Sequence, residues 1–264
     1  MADITFADIS EFQTDLDAPA YIAGGHKAII VRAHNGYRAD KYWPGRRDYV
    51  RKHPFVCVGY YQYLVASRTA EDQAHAFIAC VGGLKPNEFV VVDSEEGAGS
   101  QTSRVNAWCS IVDKQYGFPA TVYASSSWFA DRLGGIKNWM NRPRWVAGYP
   151  SSYSPNPAAQ PAGCTFWQYS DRERFPGLAG GVDGNVYRGS AVELLADVRP
   201  GGKPTPAPSP PLSAKQQSQT TVVKHNGVLE VFVETDTGEV FHRWQSNENG
   251  NFTTPWQSMG TPGK

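Results

Sequence analysis

Up to about residue 190, short apolar runs alternate with stretches in which apolar residues recur at helical spacing. The runs cover residues 4–9, 28–32, 55–61, 89–93, 120–123, 144–147, 165–169 and 181–185, each of strand length. Ala74, Phe77, Ile78 and Val81 fall at i, i+3, i+4 and i+7 behind a Thr69-x-x-Asp72 cap, and Gly82-Gly83 follows, which predicts a helix. Val105, Trp108, Cys109 and Val112 repeat the spacing ahead of Gly117 and Pro119 and predict another. Apolar strands alternating with helices predict parallel strands covered on both faces, and eight candidates predict closure into a barrel. Beyond Pro143 no helical spacing separates the strands, so the barrel is expected to be irregular over its last three.

The pattern changes after residue 198. Pro200 to Pro211 holds six prolines in twelve residues, which excludes a helix or a central strand and predicts an extended linker of roughly 35 Å over 199–218. Beyond it, 220–224, 228–235 and 239–245 read as strands, with His225-Asn-Gly227 and Asp236-Thr-Gly238 as hairpin turns. A fourth strand at 255–259 completes a small antiparallel sheet. The expected organisation is a large α/β domain over 1–198, a Pro-rich linker over 199–218 and an all-β module over 219–264.

Charge and composition narrow the partners. With 25 basic and 25 acidic side chains, the chain lacks the excess of positive charge that a nucleic-acid partner requires. Aromatics reach 12% against 19% charged residues, a balance suited to a neutral ring-shaped ligand such as a sugar. The N-terminus lacks the basic start and apolar core of a signal peptide, and no run approaches the ~20 residues of a membrane helix, so no membrane partner is expected. Cys57, Cys80, Cys109 and Cys164 form no Cys-x-x-Cys pair and are expected to be buried free thiols. No metal and no cofactor are expected.

Reactive groups of a parallel barrel belong at the C-terminal ends of its strands, where Asp8, Asp93, Glu95 and Asp183 are predicted to lie. Asp93 and Glu95, two apart, face the same side, and their mutual repulsion raises the proton affinity of one. Glycoside hydrolysis needs this pairing: one carboxyl protonates the leaving oxygen while another stays charged beside the cationic transition state. The alternative is that each caps a helix or anchors a loop. Glu96 is expected to be a solvated surface charge, and His34 a hydrogen-bonding loop residue rather than a base.

These residues carry a resemblance. Ala7-Asp8-Ile9-Ser10-Glu11-Phe12-Gln13 resembles the Asp-x-Ser-x-x-Gln opening of glycoside hydrolase family 25, the Chalaropsis-type lysozymes found in many phage endolysins. Val92-Asp93-Ser94-Glu95 is similar to its catalytic strand. Gly59-Tyr60-Tyr61, Val122-Tyr123, Trp145-Val-Ala-Gly-Tyr149, Phe166-Trp167-Gln168-Tyr169-Ser170 and Val182-Asp183-Gly184-Asn185 follow in the family's order. The resemblance implies a barrel of five βα units and then three strands. It also implies a muramidase that cuts the β-1,4 bond after N-acetylmuramic acid in peptidoglycan. Glu95 is then the general acid, Asp93 stabilises charge or holds the substrate's N-acetyl group, and Asp8 and Asp183 bind substrate or tune the pair. Tyr61, Tyr123, Trp145, Tyr149 and Trp167 are a sugar platform, each alternatively a core residue, with Gln168 orienting. An endolysin of this kind waits in the host cytoplasm and reaches the cell wall after holin-type release. Where the family often has Thr/Ser-Glu-Gly after the second strand, this chain has His34-Asn35-Gly36, which puts contacts on one side of the cleft in doubt.

Competing readings are a zinc amidase or peptidase, for which the six histidines show no ligand spacing, a non-catalytic wall-glycan binder, and a chitinase-like glycosidase, whose longer acidic strand signature is absent. Residues 238–245 and 256–260 resemble one blade of a propeller-type lectin repeat. A lone sheet of this size is expected to dock on the barrel or to form homo-oligomers, with Phe241, Trp244 and Trp256 packing or binding glycan.

Overall fold

The computed structural model of the chain describes residues 3–200 and, in the tail, the strands at 220–225, 228–234, 240–244 and 257–260. The chain divides into two units, Met1–Gly202 and Lys203–Lys264.

Eight strands close the first unit into a barrel in sequence order. They are β1 (Ile4–Ile9), β2 (Ala28–His34), β3 (Cys57–Tyr63), β4 (Glu88–Asp93), β5 (Thr121–Ser125), β6 (Arg144–Ala147), β7 (Phe166–Glu173) and β8 (Val182–Tyr187). Helices α1 (Ala18–Ala23), α2 (Gly45–Val50), α3 (Ala70–Val81), α4 (Thr102–Tyr116) and α5 (Ser126–Asp131) follow the first five strands, and α6 (Ala191–Val198) follows β8. The irregularity expected over the last three strands is present: no α-helix separates β6, β7 and β8. One expectation is corrected. The strands are parallel as far as β7, but β8 runs antiparallel to both β7 and β1. No helical crossover separates β7 from β8, so the chain turns back directly, which permits only antiparallel pairing.

Local chemistry accounts for the long helices. The Asp72 N–H donates to Thr69 Oγ1 at 3.1 Å at the start of α3, and Gly117 takes the left-handed conformation, φ 77°, that closes α4. Strand β2 is buried at all seven positions: Ala28 to Val31 and Ala33 are apolar, and Arg32 and His34 are buried polar side chains. Inside the barrel, Phe166 lies 5.8 Å from Phe6, 6.5 Å from Phe89 and 5.5 Å from Trp145, centroid to centroid. Gly59 lets this aromatic layer close, because a Cβ there would sit 2.6 Å from Phe89 Cζ and 2.9 Å from Ile30 Cγ1. The barrel is therefore plugged by packed rings, and the cleft at the C-terminal strand ends lies above them.

All four cysteines are free; Cys57 and Cys109 are buried, whereas Cys80 and Cys164 are only half-buried. Among the described residues, no helix is long and apolar enough to cross a membrane. In the tail, β9 (Thr220–His225), β10 (Val228–Glu234), β11 (Val240–Trp244) and β12 (Gln257–Gly260) form an antiparallel sheet in the order β12-β11-β10-β9. Most of the linker, both tail turns and the side chains of Phe241, Trp244 and Trp256 lie outside the described residues, as do the docking and homo-oligomer expectations attached to them.

Candidate active site

A cleft of about 200 Å³ opens where β1 to β7 end, lined by Asp8, Arg32, Tyr61, Asp93, Glu95, Tyr123, Trp145, Gln168 and Asp183, with Ser10, Phe12 and Tyr63 above them. All four sequence-predicted carboxyls are therefore brought together. Asp183 arrives by a different route from the one expected. It is the second residue of β8 rather than a C-terminal one, and the reversed direction of that strand carries it to this end, opposite Asp8 in the β1–β8 register.

A continuous hydrogen-bond network orients Asp8. Its Oδ2 accepts from Gln168 Nε2 at 3.0 Å and from Asn185 Nδ2 at 2.8 Å. Trp145 Nε1 donates to Asn185 Oδ1 at 2.7 Å, and Gln168 Oε1 accepts from the hydroxyls of Tyr123 at 2.9 Å and Tyr149 at 2.8 Å. Asp8 and Asp183 stand opposite each other across the β1–β8 pair, so ionising one disfavours ionising the other. Burial pushes Asp8 up to about 6 against the opposing pull of Asn185 and Gln168. Burial, and then the charge of Asp8, pushes Asp183 up to about 8.

Asp93 is enclosed and its carboxyl is held well above the usual range, first by burial and then by Glu95 and Asp8. Its Oδ1 has no hydrogen-bond partner among the described residues. Glu95, two residues on at the solvent-exposed mouth, is raised chiefly by partial burial of its carboxyl, while the neighbouring Tyr123 hydroxyl opposes the rise. The arrangement offers a proton donor at the mouth and an unpartnered carboxyl oxygen behind it.

The aromatic candidates separate. Tyr61 and Tyr123 are buried on the cleft wall, with centroids 6.3 Å and 4.2 Å from Trp145, whose ring is the floor. These three are core and cleft surface at once. Tyr149 stands half-exposed and reaches the network through Gln168. Trp167 is a correction: it is fully buried away from the cleft, packed with Tyr169 and Val186, and donates to the Gly148 carbonyl at 2.7 Å. Strand alternation is the cause, since Gln168 faces inward and its neighbour must face out.

Glu96 is also corrected. It is half-buried, and an oxygen of its carboxyl accepts the Ala66 N–H at 2.8 Å, anchoring the loop after β3. His34 is the loop hydrogen-bonder expected: Nδ1 accepts the Gly36 N–H at 3.0 Å, and burial pushes the imidazole down to about 4. Asn35 Oδ1 accepts from the Tyr37 and Arg38 N–H groups and shapes the same turn. Sequence reasoning gave no role to Ser10, Phe12, Arg32, Tyr63 or Asn185. Alternation along β2 and β3 was the signal available for Arg32 and Tyr63.

A larger cavity, about 590 Å³, lies by the starts of β6 and β7, lined in part by Arg142, Arg144 and Arg188. Arg144 and Arg188 are bonded there to backbone carbonyls and side chains of the barrel's own loops, so volume alone does not make it the reactive site.

Known proteins share this architecture. The uncharacterised protein YegX of Escherichia coli strain K12 is 34% identical over 152 residues, 56% of this chain and 54% of YegX, so the chain spans about half the length of that curated relative. Lysozyme M1 of Streptomyces globisporus is 27% identical over 209 residues, 72% of this chain and 69% of that protein. The crystal structure of a bacterial lysozyme from Streptomyces coelicolor has the same fold, with a TM-score of 0.64 at 22% identity over 75% of this chain and 98% of that one. The family model described as glycosyl hydrolases family 25 matches residues 7–178, a span that includes Asp8, Asp93 and Glu95 and stops short of Asp183. The chain belongs to glycosyl hydrolases family 25.

Proposed function

We propose that the protein is a peptidoglycan muramidase that hydrolyses the β-1,4 bond between N-acetylmuramic acid and N-acetylglucosamine. The observation that carries this reading is the unpartnered Asp93 Oδ1, enclosed in the cleft behind Glu95. An orphaned buried acceptor costs about 1–3 kcal/mol, a cost that a substrate donor removes. Glu95 gives its proton to the leaving oxygen as the glycosidic bond breaks, and water restores that proton when it completes the hydrolysis. Asp93 accepts the N–H of the substrate's acetamido group and faces the positive charge that develops at the anomeric carbon. The Asp8–Asp183 pair, fixed by Gln168 and Asn185, holds the far wall. Clearing of a bacterial cell-wall suspension by the full-length protein, with Glu95→Gln as the inactive control, tests the reading.

The biological setting we infer is that of a phage endolysin, held in the host cytoplasm until a holin-type lesion admits it to the wall. Its support is the resemblance of the motifs to a family rich in such enzymes. The tail unit is inferred to hold the enzyme on wall glycan. A chain ending at Gly202 tests that role, and is preferable to an earlier cut because Arg199 donates to the Lys85 and Pro86 carbonyls, at 2.7 and 2.9 Å. Loss of wall binding with retained activity on soluble strands is the expected result.

A further inference from the structure

Phe12 is 79% exposed, yet the turn that carries it is anchored. The Gln13 N–H donates to the Ser10 carbonyl at 3.1 Å, the Ser10 N–H to Gln13 Oε1 at 2.9 Å, and the Glu11 N–H to Asp40 Oδ2 at 2.9 Å. The ring is therefore presented at the cleft it lines, not carried on a loose loop.

Arg32 lies beside it, with its guanidinium carbon 5.3 Å from the ring centroid. Nε donates to Asp40 Oδ2 at 2.9 Å and Nη2 to Glu11 Oε1 at 2.7 Å, while Glu11 Oε2 accepts from Arg38 Nη2 at 2.8 Å. The side chain is only 10% exposed, so its plane is fixed. Nη1 has no hydrogen-bond partner among the described residues, and Arg32 lines the cleft. An arginine held by two carboxylates with its last nitrogen unspent is a preorganised donor.

The charge balance decides what it receives. Arg32 and Arg38 are offset by Glu11 and Asp40, and the remaining titratable side chains of the cleft include four carboxyls. An anionic substituent gains no net attraction here. A neutral carbonyl oxygen accepts from Nη1, and a methyl group beside it covers the open face of Phe12. We propose that Arg32 and Phe12 form a specificity corner that takes a methyl-bearing amide substituent of the glycan. The inference rests on the muramidase reading and narrows it. Two groups of peptidoglycan have this chemistry: the acetamido group of a sugar, and the lactyl amide that joins muramic acid to its stem peptide.

The test is calorimetric binding to full-length Glu95→Gln protein, in which turnover is suppressed, with and without Phe12→Ala or Arg32→Lys. Three soluble glycan-strand preparations are used: intact, amidase-treated so that the lactyl amide becomes a carboxylate, and N-deacetylated. Each substitution is expected to weaken binding to intact strands about tenfold, the value of one charged hydrogen bond or its apolar counterpart. That penalty vanishes on the preparation lacking the contacted group, so its loss after amidase treatment identifies the lactyl amide and its loss after deacetylation the acetamido group. Phe12→Ala leaves the Arg32 ion pairs in place and carries the test if Arg32→Lys perturbs folding. An equal penalty on all three preparations, or none with Phe12→Ala, overturns the corner. Release of reducing ends by the wild-type chain is followed alongside. No cleavage refutes the muramidase reading itself, whereas cleavage without an affinity change refutes the corner alone.

Discussion

Asp8→Asn should change how the barrel's stability depends on pH. Asp8 is 5% exposed, and its pKa is raised from 3.8 to about 6. Well below pH 3.8 the carboxyl is protonated in folded and unfolded chains alike. As the pH rises towards 6 the unfolded chain releases its proton while the barrel retains it, so stability falls with rising pH and the loss is complete above about 6. At about 1.4 kcal/mol per pH unit, the interval from 3.8 to about 6 amounts to about 3 kcal/mol. In a domain of this size, 1 kcal/mol moves Tm by about 2–4 °C, so this one group lowers it by about 6–12 °C between pH 4 and 6. Asparagine keeps an oxygen for the Gln168 and Asn185 donors and adds an N–H₂ group for Asp183, so the network survives without a buried charge. Urea denaturation at pH 4, 5, 6 and 7 reads the effect: near pH 4 the two proteins should be of similar stability, and by pH 7 the variant should exceed wild type by about 3 kcal/mol. Parallel stability curves for the two proteins would refute the assignment of Asp8 as a carboxyl that titrates late because it is buried. Peptidoglycan cleavage should fall in the variant, less than with Asp93→Asn.

Other substitutions separate chemistry from packing. Glu95→Gln should cost about 10²–10⁴ in kcat with an unchanged circular dichroism spectrum, and activity within threefold of wild type would remove it as the acid. Trp167→Ala should destabilise the barrel by about 3–5 kcal/mol in urea titrations, with KM unchanged at a temperature where the variant is folded. A raised KM without loss of stability would return that ring to the cleft. Gly59→Ala should cost about 1–3 kcal/mol through the clash with Phe89 and Ile30, and a neutral effect would show that the aromatic plug is looser than described.

What the sequence disclosed depended on whether the signal was local. Helices α3 and α4 were legible because each runs for three turns or more with a stop glycine, and Thr69 caps α3. Helices α1, α2 and α5 have six residues each, too few to establish a period. Helix α6 carries a reciprocal cap, with the Glu193 N–H donating to Ser190 Oγ and the Ser190 N–H to Glu193 Oε2, and the Ser190-x-x-Glu193 signature could have revealed it. The reversal of β8 was not readable from composition, and with it went the true route of Asp183 into the cleft. Placing both Trp167 and Gln168 in the cleft contradicted the two-residue period of a strand, so that error was avoidable. The Glu11–Arg32–Asp40 pairing joins β2 to two loops through residues 8 to 29 positions apart, and nothing in the local pattern announces it.

In the reaction we propose, this cleft breaks the glycosidic bond of muramic acid by proton transfer from Glu95. Peptidoglycan digested with the full-length protein, reduced with borohydride and then acid-hydrolysed tests it directly, because reduction marks whichever sugar carried the new reducing end. Muramitol should rise with digestion time for the wild-type chain and stay at background for Glu95→Gln, with no new amino termini. Glucosaminitol in its place, release of free amino groups, or equal muramitol from Glu95→Gln would rule out a muramidase that uses Glu95 as its acid.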